Sequence, residues 1–209
     1  MKRCYLIRHG QTAWNRENRI QGHSDLPLDA VGETQAKQLS VFFASYHLRS
    51  IFTSHLRRSR QTAEAIAAGN GHGDPVVEQA LAEMYLGAWE GLTPEEIDQR
   101  FGGAYEQWKT TPSLVRIPEA EGLEAFRTRV RTALSAIVDR LGEGEHVIVS
   151  HGGVIAALLA DLLDADYDAM LRRLRLDNAG ITAFEFGTPT PHVLWINRTT
   201  HLDPSGGAA

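Results

Sequence analysis

The segment HVIVSHGGVIAALLADLL, residues 146–163, decides the fold. His146–Ser150 reads as a short buried strand, a β-branched run too short for a helix. It ends in Ser150, His151 and two glycines, after which Val154–Leu163 has the length and apolar content of a helix. A strand feeding a helix is the repeating unit of a mostly parallel sheet. The N-terminal segment CYLIRHGQTAWN, residues 4–15, repeats the design. An apolar strand, Cys4–Ile7, stops abruptly in Arg8, His9 and Gly10.

Reading outward, the same alternation fills the chain. A helix starts after Asp29, a good N-cap, with Ala36, Leu39, Phe43 and Tyr46 on one face. Ser50–Ser54 is a second strand, followed by a helix in RSRQTAEAIAA and a loop in GNGHGDP. Val76–Val77 is a brief strand. Thr93, Pro94 and Glu96 form a capping box with proline at the first helical position. Residues from about Arg100 to Glu121 read as irregular, punctuated by Gly102, Gly103, Pro112 and Pro118. Leu123–Leu141 carries one apolar face, and ITAFEF and HVLWIN close the chain as two strands joined by GTPTP, an antiparallel pair. The tail DPSGGAA reads as frayed. The expected architecture is an α/β three-layer sandwich, a mostly parallel sheet with helices on both faces. One domain spans 1–209, with a small cap inserted at about 88–121.

A chain of 209 residues buries a core without disulfides, and its single cysteine, Cys4, lies inside a strand. The formal net charge is -5 with no long basic block. That argues against nucleic acid or an anionic membrane as the main partner. Only four apolar residues follow Lys2 and Arg3, against the roughly 7–15 of a secretory leader. A cytoplasmic protein is expected.

Ligands of open α/β sheets bind at the carboxyl ends of the strands. Arg8, His9 and His151 stand at such ends, and SHLRRSRQTA after the second strand delivers arginines to the same edge. Two imidazoles and at least two guanidiniums make a receptor for a dense anion, above all a phosphoryl group. Adjacent helical residues point about 100° apart, so Arg57 and Arg58 do not share one target. No His-Glu-x-x-His or paired Cys-x-x-Cys cluster appears, and neither metal nor cofactor is expected.

LIRHGQTAWN, SHLRRSRQTA, LAEMYLGAWEGL and VSHGG resemble, in order, the four signatures of the histidine phosphatase superfamily, also called the phosphoglycerate mutase-like family. The resemblance implies that His9 is a nucleophile that becomes phosphorylated. It implies that Arg8, Arg58 and His151 bind the phosphoryl oxygens, that Glu83 donates the proton, and that Asn15 supports the phosphate pocket. Two positions depart from the pattern: His55, and PEAEGLEAF (118–126) in place of a Pro-Gly-Gly-Glu-Ser run. Candidate substrates implied by the family are phosphoserine, α-ribazole phosphate, phosphoglycerates and sugar phosphates, and a homodimer is common among its members.

A neutral imidazole attacks phosphorus to give phosphohistidine, and cations at the equatorial oxygens stabilise the transition state. Arg8, Arg58 and a protonated His151 are the expected cations. Glu83, beside Met84, Tyr85 and Trp89, is the expected acid. The remaining histidines, His23, His47, His55, His72, His146, His192 and His201, read as surface residues, and Trp89, Tyr105 and Trp108 as packing over the site. The preferred activity is a metal-independent phosphomonoesterase acting on a small phosphorylated metabolite. A cofactor-dependent phosphoglycerate mutase is the alternative, and a non-catalytic phospho-ligand binding module the third reading. The cap favours the first: it offers only Arg100, Lys109 and Arg116 as cations against seven carboxylates.

Overall fold

The computed structural model describes residues 1–187 and 191–202. Residues 188–190, within the expected GTPTP connection, and residues from 203, the expected frayed tail, lie outside the described residues. Among those described, six strands form one sheet: β1 (Lys2–Arg8), β2 (Leu48–Thr53), β3 (Val76–Val77), β4 (Gly144–Ser150), β5 (Ile181–Phe186) and β6 (His192–Arg198). Their order is β3-β2-β4-β1-β5-β6. The first four are mutually parallel, while β5 runs antiparallel to both β1 and β6. Eight helices are described: α1 (Ala13–Arg16), α2 (Ala30–Phe43), α3 (Arg57–Asn70), α4 (Pro94–Arg100), α5 (Ala104–Thr110), α6 (Leu123–Arg140), α7 (Gly152–Leu162) and α8 (Tyr167–Arg173).

Period-two alternation sends successive strand residues to opposite faces. Cys4, Leu6, Ile148 and Phe184 pack on one face with α6 and α7, through Phe126, Val130, Ile137, Val154 and Leu158. Tyr5, Ile7, Val147 and Val149 pack on the other with Leu39 and Phe43 of α2 and Ile66 of α3. Each fully buried large apolar side chain contributes about 1.5–3 kcal/mol relative to exposure. The three layers thus follow from the strand pattern. Asp29 caps α2 through Gly32 N (2.9 Å), and Thr93 and Glu96 form the capping box of α4.

Two expectations are corrected. The segment after Arg100 is not irregular: it contains α5 and a short 3-10 turn at Pro112–Leu114. Its N-terminus is held by a carboxylate from the preceding helix, Asp98, which accepts from Tyr105 N (2.8 Å) and Glu106 N (3.1 Å). Gly103 makes the reversal at φ 81°, in the left-handed region that favours glycine. His146 is not a surface residue. It is buried in β4, with Nδ1 paired to Ser50 Oγ (2.7 Å) and Nε2 bonded to Gly142 O (3.0 Å).

The ends of the 88–121 segment are tied together. Ala88 N donates to Pro118 O (3.0 Å), and Glu121 N donates to Tyr85 O (3.1 Å). Glu121 also ion-pairs with Arg129 of α6 (2.6 Å). The departing loop 118–121 thus fastens this segment to the sheet domain. Among the described residues no helix is long and apolar enough to cross a membrane.

Candidate active site

Parallel pairing of β1 with β4 sets Arg8 opposite Ser150, so His9 and His151 leave neighbouring strands at the same edge. Their ring centroids are 5.2 Å apart. His9 is buried, and its Nδ1 lies 2.7 Å from Gly10 O, a bond in which the ring must be the donor. Arg58 Nε donates to His9 Nε2 at 3.2 Å, so Nε2 is the acceptor. Both bonds assign one tautomer, with the proton on Nδ1 and the lone pair on Nε2. Burial, and then the Arg58 and Arg8 charges, hold the His9 pKa well below the ordinary imidazole value. The ring is neutral at physiological pH.

Arg58 and Arg57 divide as helical geometry requires. Arg57 faces solvent, while Arg58 is 1% exposed. Arg58 Nη1 donates to Ser24 O and Nη2 to Gly22 O, each at 2.8 Å. Burial lowers the Arg58 pKa to about 10, which leaves it charged. Arg8 Nη1 donates to Leu176 O (2.5 Å), and its Nε is buried without a partner. Among the described residues neither guanidinium has a carboxylate within 4.0 Å. Two cations without carboxylate partners, Arg58 buried and Arg8 half-buried, beside a neutral base suit a multiply charged anion.

His151 corrects the expectation of a protonated ring. It is fully buried, and burial together with Arg58, His9 and Arg8 holds its pKa well below the usual value. The site without ligand therefore carries its positive charge on the arginines alone. His151 Nε2 is paired with Ser54 Oγ at 2.9 Å, and Nδ1 has no protein partner.

Glu83 reaches the same edge from the segment after β3. Its Oε2 accepts from Gly153 N (3.0 Å), in the first turn of α7, and its Oε1 accepts from Met84 N (2.9 Å). A Cβ on Gly153 would lie 2.4 Å from Glu83 Oε1, so any larger residue there displaces the carboxylate. The Glu83 carbonyl is fixed from two sides, by His23 Nε2 (2.8 Å) and Arg129 Nη2 (3.2 Å). Asn15 Oδ1 accepts from Thr12 N (3.1 Å) and from Asn178 Nδ2 (3.2 Å), which also donates to His9 O (3.0 Å).

A cavity of about 360 Å³ is lined by Arg8, His9, Asn15, Arg58, Glu83 and Asn178, among others. A second, of about 510 Å³, shares Glu83 and Leu86 with it and continues along Met84, Tyr105, Trp108, Tyr167 and Leu171. Tyr105 and Trp108 line it, but Trp89 does not: it is 1% exposed and packs behind both rings, with centroids 6.1 and 5.7 Å away. His55 is exposed, its ring 6.3 Å from that of His23.

All six residues anticipated from sequence, Arg8, His9, Asn15, Arg58, Glu83 and His151, meet at this edge. Three participants were not anticipated. Asn178 lies in a polar turn whose only sequence signal is loop formation. Ser54 looked like the end of a strand. Gly153 was read as a strand-to-helix break, not as a seat for a carboxylate.

Comparison with known proteins accords with this geometry. The model of the histidine phosphatase superfamily (branch 1) matches residues 4–199. A protein of Cronobacter sakazakii named "Probable phosphoglycerate mutase GpmB" is 34% identical over 97% of this chain and 96% of its own length. The structure of Bacillus stearothermophilus YhfR superposes with a TM-score of 0.89 at 33% identity, covering 97% of this chain and all of that one (100%). A mycobacterial glucosyl-3-phosphoglycerate phosphatase superposes with a TM-score of 0.86 at 29% identity, covering 95% and 100%. The match runs nearly end to end and takes in both strand-end histidines, and the chain belongs to the histidine phosphatase superfamily, branch 1.

Proposed function

We propose that this protein is a metal-independent phosphomonoesterase that works through phosphohistidine at His9. One observation carries the reading: a neutral His9 whose Nε2 lone pair faces Arg58, beside two guanidiniums, Arg58 buried and Arg8 half-buried, that lack carboxylate partners. Nε2 attacks phosphorus in line, and the P–O bond to the alcohol breaks. Glu83, in its acid form, gives its proton to the departing oxygen. Water then attacks the phosphohistidine, Glu83 takes a proton back, and phosphate leaves with the Nε2 lone pair restored. Arg8 and Arg58 stabilise the charge spread over the equatorial oxygens.

The alcohol half of the ester lies in the second cavity. That space begins at Glu83, where the leaving oxygen must be, and its walls are mainly apolar and aromatic. A monoester with a modestly apolar body fits it. The phosphatase name of one structural relative supports hydrolysis, while the mutase name of the Cronobacter protein supports the rival reading. A mutase must hold a second phosphate, and each charge-assisted contact to it is worth roughly 1.5–3 kcal/mol. Of the cations that line the second cavity, Lys109 is engaged by Glu106, while Arg172, among the described residues, bonds only the Asp168 carbonyl and is the one a second phosphate would use.

The deciding experiment supplies 3-phosphoglycerate with a trace of 2,3-bisphosphoglycerate, beside p-nitrophenyl phosphate, and follows products by phosphorus NMR with a chelator present. Phosphate release with little 2-phosphoglycerate is expected. Interconversion of phosphoglycerates without phosphate release establishes the mutase, and an inert protein toward all substrates leaves the binding-module reading.

A further inference from the structure

Two buried nitrogens at the strand edge lack a protein partner, Arg8 Nε and His151 Nδ1. The second poses a question of tautomer, and Ser54 answers it. Ser54 follows β2, is completely buried, and is pinned to β4 by its N–H on Val149 O (3.2 Å). Its Oγ accepts from Leu56 N (3.2 Å) and lies 2.9 Å from His151 Nε2. Leu56 N is only a donor. Among the described residues, His151 Nε2 is therefore the one acceptor within reach of the Ser54 hydroxyl proton. A proton on Nε2 would orphan the serine hydroxyl and leave a buried lone pair on the unpartnered Nδ1. A proton on Nδ1 leaves a single unmet donor, the one that a phosphoryl oxygen satisfies.

We propose that Ser54 is a positioning residue for phosphoryl transfer: its hydroxyl donates to His151 Nε2 and so holds the ring proton on Nδ1, as a neutral hydrogen-bond donor to the phosphoryl group. The proposal rests on the phosphohistidine reading for the identity of the group contacted. The tautomer itself does not depend on turnover. Ser54 acts through His151 and touches no reacting atom, so its loss changes the state of an imidazole, which loss of packing alone does not.

The test uses the full chain labelled with nitrogen-15. Long-range proton–nitrogen spectra should show His151 Nε2 unprotonated and Nδ1 protonated at neutral pH, the resonances being assigned by their absence in His151→Gln. Inorganic phosphate should shift the Nδ1 signals. Ser54→Ala should abolish the preference for that tautomer and lower kcat roughly 10- to 100-fold, the worth of one hydrogen bond to a charged group. Ser54→Thr should keep both tautomer and rate. A protonated Nε2 in the parent protein overturns the proposal, as does a Ser54→Ala spectrum identical to the parent. Should p-nitrophenyl phosphate not be hydrolysed by the parent, the phosphatase reading fails, while the spectra and the phosphate titration still decide Ser54.

Discussion

Arg58 Nε donates to His9 Nε2 at 3.2 Å, so the cation sits on the lone pair that is proposed to attack phosphorus. The contact disfavours protonation of His9 and marks where the negative oxygens of a substrate must settle. In the proposed mechanism an incoming phosphoryl group takes the guanidinium to itself and frees the lone pair for attack.

The nucleophile is tested by rapid quench with labelled substrate. The parent protein should yield an acid-labile, alkali-stable phosphoenzyme, and His9→Ala should yield none while keeping the parent circular dichroism. Label retained through acid, on a serine or threonine, would move the chemistry away from His9.

Glu83→Gln should slow alkyl phosphates far more than p-nitrophenyl phosphate. Nitrophenolate departs without a proton, whereas an alkoxide does not, and general acid catalysis contributes about 10²–10⁴-fold. Steady-state rates on both substrates read the gap. Equal losses would assign the proton to another group.

Gly153→Ala separates stability from activity. Its added Cβ displaces the Glu83 carboxylate, 2.4 Å away, yet alanine favours a helix over glycine by roughly 0.5–1 kcal/mol. The melting temperature should hold or rise, while alkyl-phosphate turnover falls in the pattern of Glu83→Gln. A variant as active as the parent would show that this seat does not matter.

Stability should fall on the acid side of the ordinary imidazole pKa. His9, His151 and His146 are held below the usual value, and His201 lies at about 4, chiefly by burial. Between the folded and unfolded values the unfolded chain binds more protons, so stability is greatest above about 6.5 and is lost as pH falls from there through the folded values. Each histidine in that window costs about 1.4 kcal/mol per pH unit. Calorimetry from pH 8 to 5 should give a plateau and then a steady decline below 6.5. A melting temperature that rises as pH falls from 7 to 5 would contradict neutral burial.

The strands and their helices were legible because apolar period and chain punctuation are local signals, as in Cys4–Ile7 and Val154–Leu162. The catalytic edge was legible because two histidines end strands in the same way. Helix α5 was not, since seven mostly polar residues show little period and its cap, Asp98, belongs to the helix before. The neutral state of His151 was hidden for a related reason. It follows from burial beside Arg8 and Arg58, and neither residue is its neighbour in sequence. Buried His146 escaped because its partner, Ser50, lies 96 residues away on the adjacent strand.

Adjacency of β1 and β4 joins residues 2–8 to residues 144–150. During synthesis His9 therefore emerges well before His151 and Gly153, which follow more than 140 residues later. A fragment that ends before β4 holds His9, Arg8 and Arg58 without the strand that aligns them with His151. On the proposed function, competence for phosphate waits on the closing of a long loop, the slow kind of contact in folding. Phosphate binding at the proposed site would thus report the formed β1–β4 pairing, and ligand present during refolding would favour that pairing over states that lack it.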